Sequence, residues 1–152
     1  MRALMGNRPE NEKSRLSVEP GENPETAARL GAEIAARFGP RDETPLAVTA
    51  RDAEGALIGG LNGVTHWRWL YIRHLWVARD RRRAGLGRSL IEEAICVAIG
   101  RDCIGAYVDT FERPVAAWYE KQGFRRIGAI EDFPPGAARI FLMRRFRPEP
   151  TS

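Results

Sequence analysis

The run Arg82-Arg83-Ala84-Gly85-Leu86-Gly87-Arg88-Ser89 constrains the fold more tightly than any other part of the chain. An apolar, aromatic run ending in Leu75-Trp76-Val77 precedes it, and a helical pattern continues from it to about Ile99. A strand, a basic glycine turn and a helix start bring unpaired backbone N–H groups and a partial positive charge to one point. Anions settle there. Glycine lets the backbone approach a ligand closely, and arginine adds full charge and forked donors.

Three phosphate-binding patterns compete for these residues. A P-loop, G-x-x-x-x-G-K-S/T, fits only at its end. Its first glycine falls on Arg82, and Arg88 stands where the lysine belongs. A dinucleotide fingerprint, G-x-G-x-x-G, fails because its third glycine falls on Leu90. The pattern R/Q-x-x-G-x-G/A is satisfied by Arg82, Gly85 and Gly87. In this turn the chain resembles the GNAT superfamily of acyl-CoA-dependent N-acetyltransferases, whose members hold the coenzyme A pyrophosphate there.

At 152 residues the chain suits one domain with a core that needs no staples. No apolar run approaches the ~20 residues of a membrane span, and no apolar core follows Met1 to make a secretory signal. No membrane association is expected, and a cytoplasmic location is the default. Cys96 and Cys103 are too few for a zinc site, so no metal is expected, and each reads as a small apolar residue. The net charge of +4 is carried almost wholly by arginine, which suits a nucleotide-like cofactor or nucleic acid. GC-rich coding explains an arginine-rich chain equally well. No nucleic-acid motif appears, and arginines gather at the glycine turn rather than along an aromatic strip, so no specific nucleic acid is expected.

Residues 1–13 are polar and aperiodic, which predicts a disordered N-terminal segment ahead of one domain over 14–147. Residues 14–18 alternate like a short strand. Asn23-Pro24 starts a helix with an apolar stripe of Ala27, Leu30, Ile34, Ala35 and Phe38, stopped by Gly39-Pro40. A strand over 46–49, the turn Asp52-Ala53-Glu54-Gly55 and a strand over 56–66 read as a hairpin, followed by a strand over 69–77. The helix after Gly85 presents Leu86, Leu90, Ala94, Ile95 and Ala98 to the core and ends at Gly100. Residues 104–108 form an apolar central strand. Pro114 opens a short helix that reaches Lys121, and Gly123 stops it. Strands over 124–130 and 139–143 close the chain. The order is β-α-β-β-β-α-β-α-β-β, an α/β (α+β) domain with a mixed sheet.

The resemblance extends past the turn. Trp118-Tyr119-Glu120-Lys121-Gln122-Gly123-Phe124 is similar to the family's Y-E-K-x-G-F segment, at the expected interval after it. It implies a mostly antiparallel sheet flanked by helices, with splayed central parallel strands. The pantetheine arm of acetyl-CoA then enters the splay and bonds the backbone of Leu75, Trp76 and Val77. The pyrophosphate meets Arg82, Arg83, Ala84, Gly85, Leu86, Gly87, Arg88 and Ser89, with the Ser89 hydroxyl as an extra donor. Tyr119 matches the tyrosine that returns a proton to the departing thiolate, a step its phenol chemistry permits. As an amphipathic-helix residue it also suits the core.

The base stays open among Asp109, Glu112, His66, His74 and ordered water. His74 lies on the strand lining the cleft, and imidazole works near neutral pH. Glu112 stands where the family often carries Asn, and as a helix-start carboxylate it complements the dipole. Trp67, Trp69 and Trp76 gather at the third strand, and one of them could line an acceptor pocket with Phe133. Together these imply an N-acetyltransferase that moves acetyl from acetyl-CoA to a primary amine of a small molecule, peptide or protein by direct attack. The alternative is a non-catalytic acyl-CoA sensor on the same fold. A homodimer accords with family habit, with no surface for it marked in the sequence.

Overall fold

The structure, a computed structural model, describes residues 14–147 and divides at Pro40/Arg41 into two compact units. The segment 1–13 expected to be disordered lies outside the described residues. In the first unit, helix α1 spans Pro24–Phe38. Its signals act as the sequence suggests: Asn23 Oδ1 accepts the Thr26 N–H at 2.8 Å, and the Gly39 N–H closes the end on the Ala35 carbonyl at 2.9 Å. No residue of α1 is buried. Residues 14–18 are not a strand; Leu16 and Val18 stand fully exposed, because alternation without a neighbouring strand leaves the backbone unpaired. Among the described residues the element order therefore opens on a helix.

The second unit holds a six-stranded sheet with order β1-β2-β3-β4-β6-β5. Its strands are β1 (Thr44–Arg51), β2 (Leu57–His66), β3 (Trp69–Val77), β4 (Gly105–Thr110), β5 (Arg125–Glu131) and β6 (Ala138–Arg145). Only β3 and β4 run parallel; every other neighbouring pair is antiparallel. Two helices, α2 (Leu86–Gly100) and α3 (Arg113–Lys121), connect β3 to β4 and β4 to β5.

One core follows from the alternation. Leu61, Leu70, Ile72, Ala106, Val108, Ile140 and Leu142 face inward from four strands onto Leu90, Ile91, Ala94, Ile95 and Ala98 of α2 and Ala116 and Tyr119 of α3. Ile91, outside the stripe read from the sequence, is completely buried, whereas Leu86 is only partly covered. Strand β4 is central but not apolar on both faces: Tyr107 is 41% exposed, because the helices cover one face of the strand. Cys103 is buried while Cys96 lies on the wet side of α2, so only the former acts as a core residue.

Two local solutions carry strain or crowding. The β2–β3 hairpin turns on Trp67 and Arg68, both at positive φ (46° and 68°), where Asn-Gly would be usual. Asp42 holds the turn, taking the Trp67 N–H at 2.9 Å and contacting His66 Nδ1 at 3.0 Å. The Trp67 N–H lowers the Asp42 carboxyl below its ordinary range, with His66 adding to the effect. The Ile104 N–H anchors the other side on the Arg68 carbonyl at 2.8 Å.

At the first rung of the parallel ladder, Gly105 meets Trp69. A Cβ there would lie 2.5 Å from the indole and 2.8 Å from the Arg144 carbonyl. Gly105→Ala is expected to cost about 1–3 kcal/mol through overpacking, read as a lower denaturant midpoint at unchanged slope.

Candidate active site

The site begins where a ladder stops. Strands β3 and β4 pair from Trp69↔Gly105 to Ile72↔Val108, and no further rung follows although β3 continues to Val77. Opposite, β2 stays paired with β3 as far as Gly59↔Val77, with a bulge that leaves Arg73 without a partner between Gly63↔Ile72 and Asn62↔His74. Residues 73–77 thus present an open backbone edge toward β4. Bulges re-aim a strand where pairing ends, and this one starts one residue past the last parallel rung. The splay read from the family resemblance is present.

Beyond Val77 the chain makes a short 3-10 turn, Arg79–Arg81, then enters α2. Arg82 donates Nε to the Val77 carbonyl at 3.0 Å and ties the glycine turn to the strand end. Arg83 and Gly85 take positive φ (66° and 83°), and Gly85 is the N-cap of α2 without a side-chain cap. The first helical bond runs from the Ser89 N–H to the Gly85 carbonyl at 3.0 Å. The N–H groups of Leu86, Gly87 and Arg88 precede it and point out of the helix start. The Ser89 hydroxyl donates to the same Gly85 carbonyl at 3.1 Å, so its proton is engaged within the helix.

Gly87 sets this turn close against α3. A Cβ on it would stand 3.1 Å from Trp118 Cζ2 and 3.8 Å from Val77 Cγ2. Val77, Gly87 and Trp118, drawn from β3, α2 and α3, therefore meet.

Tyr119, the next residue, is 3% exposed, with its ring edge-on to Trp118 at 5.1 Å and to Phe124 at 5.4 Å. Its hydroxyl makes no hydrogen bond. No fully buried side-chain nitrogen or oxygen among the described residues lacks a partner, so the hydroxyl is not completely sealed from solvent. Burial raises the phenol well above its ordinary pKa, and the charge of Asp109 adds to the rise.

The candidate bases do not converge. His74 lies on the exposed edge past the bulge, with Nδ1 3.4 Å from Asn62 Nδ2, and lines a hollow with Asn62, Arg73 and Leu46. Glu112 is the N-cap of α3, makes no side-chain cap bond, and lines a separate cavity of about 450 Å³ with Phe111, Asp132 and Gly136. His66 is committed to Asp42 and stacks on Trp67 at 4.2 Å. Asp109 is fixed between the Tyr71 hydroxyl and Arg139 Nε, each at 2.8 Å. Both oxygens of that carboxylate are thus taken by donors from within the sheet.

That last arrangement had no sequence signal. Tyr71, Asp109 and Arg139 come from β3, β4 and β6, and only the sheet register brings them together. The Tyr71–Asp109 bond crosses from β3 to β4 at the point where the backbone ladder ends. Tyr71 also stacks on Tyr107 at 4.8 Å. Phe133 joins this group through Phe111 rather than the tryptophans: Trp69 packs under Arg145, and Trp76 is half exposed.

Comparison with known proteins agrees with this geometry. Residues 12–124 match the model described as the acetyltransferase (GNAT) family. The chain is 36% identical over 111 residues to an acetyltransferase of Agrobacterium fabrum, covering 73% of this chain and 81% of that one. It is 38% identical over 104 residues to the blasticidin-S acetyltransferase of Streptomyces morookaense, covering 66% of this chain and 76% of the relative. Among solved structures, an acetyltransferase from Bacillus cereus is similar at TM-score 0.73 and 25% identity, covering 86% of this chain and 97% of that one. With most of its length matched and its parallel strands splayed beside an uncapped glycine turn, the chain belongs to the acetyltransferase (GNAT) family.

Proposed function

We propose that the protein transfers an acetyl group from acetyl-CoA to a primary amine of a small molecule, peptide or protein by direct attack in a ternary complex. The observation that carries this reading is the open edge of β3 over residues 73–77 leading straight to the uncapped start of α2. Backbone donors on both would otherwise lack partners. An extended ligand with amide groups along one end and a pyrophosphate at the other fits that sequence of donors. Gly87 supports the fit, since any side chain there would fill the space between the turn and Trp118.

In this reading Leu75, Trp76 and Val77 hold the pantetheine through backbone groups, the Val77 carbonyl being shared with Arg82. Residues 82–89 hold the pyrophosphate, chiefly through the N–H groups of Leu86, Gly87 and Arg88. Acetyl-CoA supplies an activated thioester. Backbone N–H groups along the open edge stabilise the developing oxyanion. Tyr119 keeps its proton throughout the neutral range and delivers it to the leaving sulfur. His74 or Glu112, or water, accepts the proton of the amine. Turnover with His74→Ala and Glu112→Gln separates these candidates, because the two residues line different hollows.

Calorimetric titration with acetyl-CoA, dephospho-CoA and desulfo-CoA tests the reading. Saturable one-to-one binding of all three is expected, followed by thiol release when an acceptor amine is added to acetyl-CoA. Absence of binding by the folded protein overturns both this reading and that of an acyl-CoA sensor. Binding without thiol release across a broad amine panel favours the sensor.

A further inference from the structure

We propose that Arg139 is the acceptor-recognition residue and that the acceptor is an amine carrying a carboxylate, held by the outer edge of the Arg139 guanidinium. The inference deepens the acetyl-transfer reading and rests on it for the place of the reacting thioester.

The arrangement around Arg139 fixes the guanidinium without exhausting it. Nε donates to Asp109 Oδ2 at 2.8 Å, and Asp109 is itself pinned by the Tyr71 hydroxyl. Cζ lies 5.6, 5.1 and 5.5 Å from the ring centroids of Phe111, Phe133 and Phe141. The Tyr71 hydroxyl is a second hydrogen-bond partner of the guanidinium, and the contact with Asp109 uses Nε, so the group carries more donors than these two acceptors fill. The side chain is 28% exposed, so its donor edge is within reach of solvent.

An arginine held by one carboxylate and walled by rings has lost its rotamer freedom before any ligand arrives. Its parallel Nη donors match the two oxygens of a carboxylate. Lysine could not offer that planar fork. A merely structural Arg139–Asp109 pair needs no aromatic walls open to water, yet Phe111 and Phe133 are 49% and 42% exposed. They can cover an apolar part of the same acceptor.

Position gives the fork a role in the reaction. Asp109 directly follows the last parallel rung, Ile72↔Val108, and its charge is felt by the Tyr119 hydroxyl. A carboxylate clamped on Arg139 therefore places the rest of the acceptor at the apex of the splay. Holding an acceptor in register is worth far more than the contact itself, since it converts a bimolecular encounter into an oriented one.

A matched pair of probes tests this without turnover. L-phenylalanine and phenethylamine share the ring and the amine and differ only in the carboxylate. Each is titrated into ¹⁵N-labelled wild-type protein, alone and with coenzyme A, while the Arg139 Nε resonance is followed; the signal is assigned by its loss in Arg139→Lys. L-phenylalanine is expected to shift it saturably and to bind at least about tenfold more tightly than phenethylamine. Arg139→Lys should remove that preference, monitored on the backbone amides of residues 109–111. Equal affinities, or an unmoved Arg139 signal with both probes, overturn the inference. If coenzyme A binds while Arg139 stays silent, the acetyl-transfer reading stands and only the acceptor assignment falls. If coenzyme A itself fails to bind, the transfer reading is the one that fails.

Discussion

Tyr119→Phe is expected to lower turnover by about a hundredfold or more, the usual worth of a positioned general acid, while acetyl-CoA affinity should change by less than about threefold. The substitution removes one oxygen and leaves the ring, so the edge-on contacts with Trp118 and Phe124 persist. Because the hydroxyl makes no hydrogen bond, no buried partner is orphaned. Stability near neutral pH should stay within ~1 kcal/mol. A loss confined to kcat separates a proton donor from a packing residue, which would show the reverse pattern: lower stability and unchanged chemistry.

The raised pKa of Tyr119 gives the same substitution a second readout. Below the ordinary phenol range, Tyr119 is protonated in both folded and unfolded chains and contributes no pH dependence. As pH rises through ~10, the unfolded phenol ionises while the buried one does not. The unfolded state then binds fewer protons, and stability falls by up to ~1.4 kcal/mol per pH unit from this residue. Tyr119→Phe lacks that term, so its alkaline unfolding should be shallower than wild type, measured by denaturant titration between neutral pH and the alkaline limit. Equal turnover would remove Tyr119 from the chemistry; an equal alkaline slope would contradict its burial.

What the sequence disclosed was local. Asn23-Pro24, Gly39, Pro114 and Gly123 each act through the backbone of their own turn, and each lies at or beside a helix end in the structure. The glycine turn was legible for the same reason, since a helix start with glycine at its N-cap is specified within a few residues. Residues 14–18 misled because alternation signals a strand only when another strand offers its edge. The Trp67-Arg68 turn was invisible as a positive-φ turn because its support comes from Asp42, distant in sequence.

The site was less legible, and the reason is topological. The bulge at Arg73 has no glycine or proline on its own strand to announce it. Tyr71, Asp109 and Arg139 become neighbours only because β6 inserts between β4 and β5. Sequence reading could list Asp109 as a titratable residue at a strand end, yet nothing nearby in the chain shows that two donors already occupy its carboxylate. The residues of the glycine turn sit in one continuous segment, whereas those proposed to face the acceptor are collected from three strands and two loops.

Gly87→Glu is expected to weaken acetyl-CoA binding by about a hundredfold or more, equivalent to ~2.7 kcal/mol. A carboxylate placed among the N–H groups of the α2 start occupies the anion position and repels the pyrophosphate. The substitution also disturbs the fold. Its Cβ would lie 3.1–3.2 Å from the Trp118 ring, which a well-packed indole can relieve only by shifting, at a cost of about 1–3 kcal/mol. Loss of binding alone would therefore be ambiguous between a blocked anion site and a displaced α3. The pair Gly87→Glu with Trp118→Leu resolves it, because the smaller side chain frees the space above Gly87. The double variant should recover thermal stability relative to Gly87→Glu while acetyl-CoA affinity stays low in calorimetry. Recovery of affinity along with stability would instead mean that Gly87 serves packing between α2 and α3, and that the pyrophosphate, if it binds, is held elsewhere.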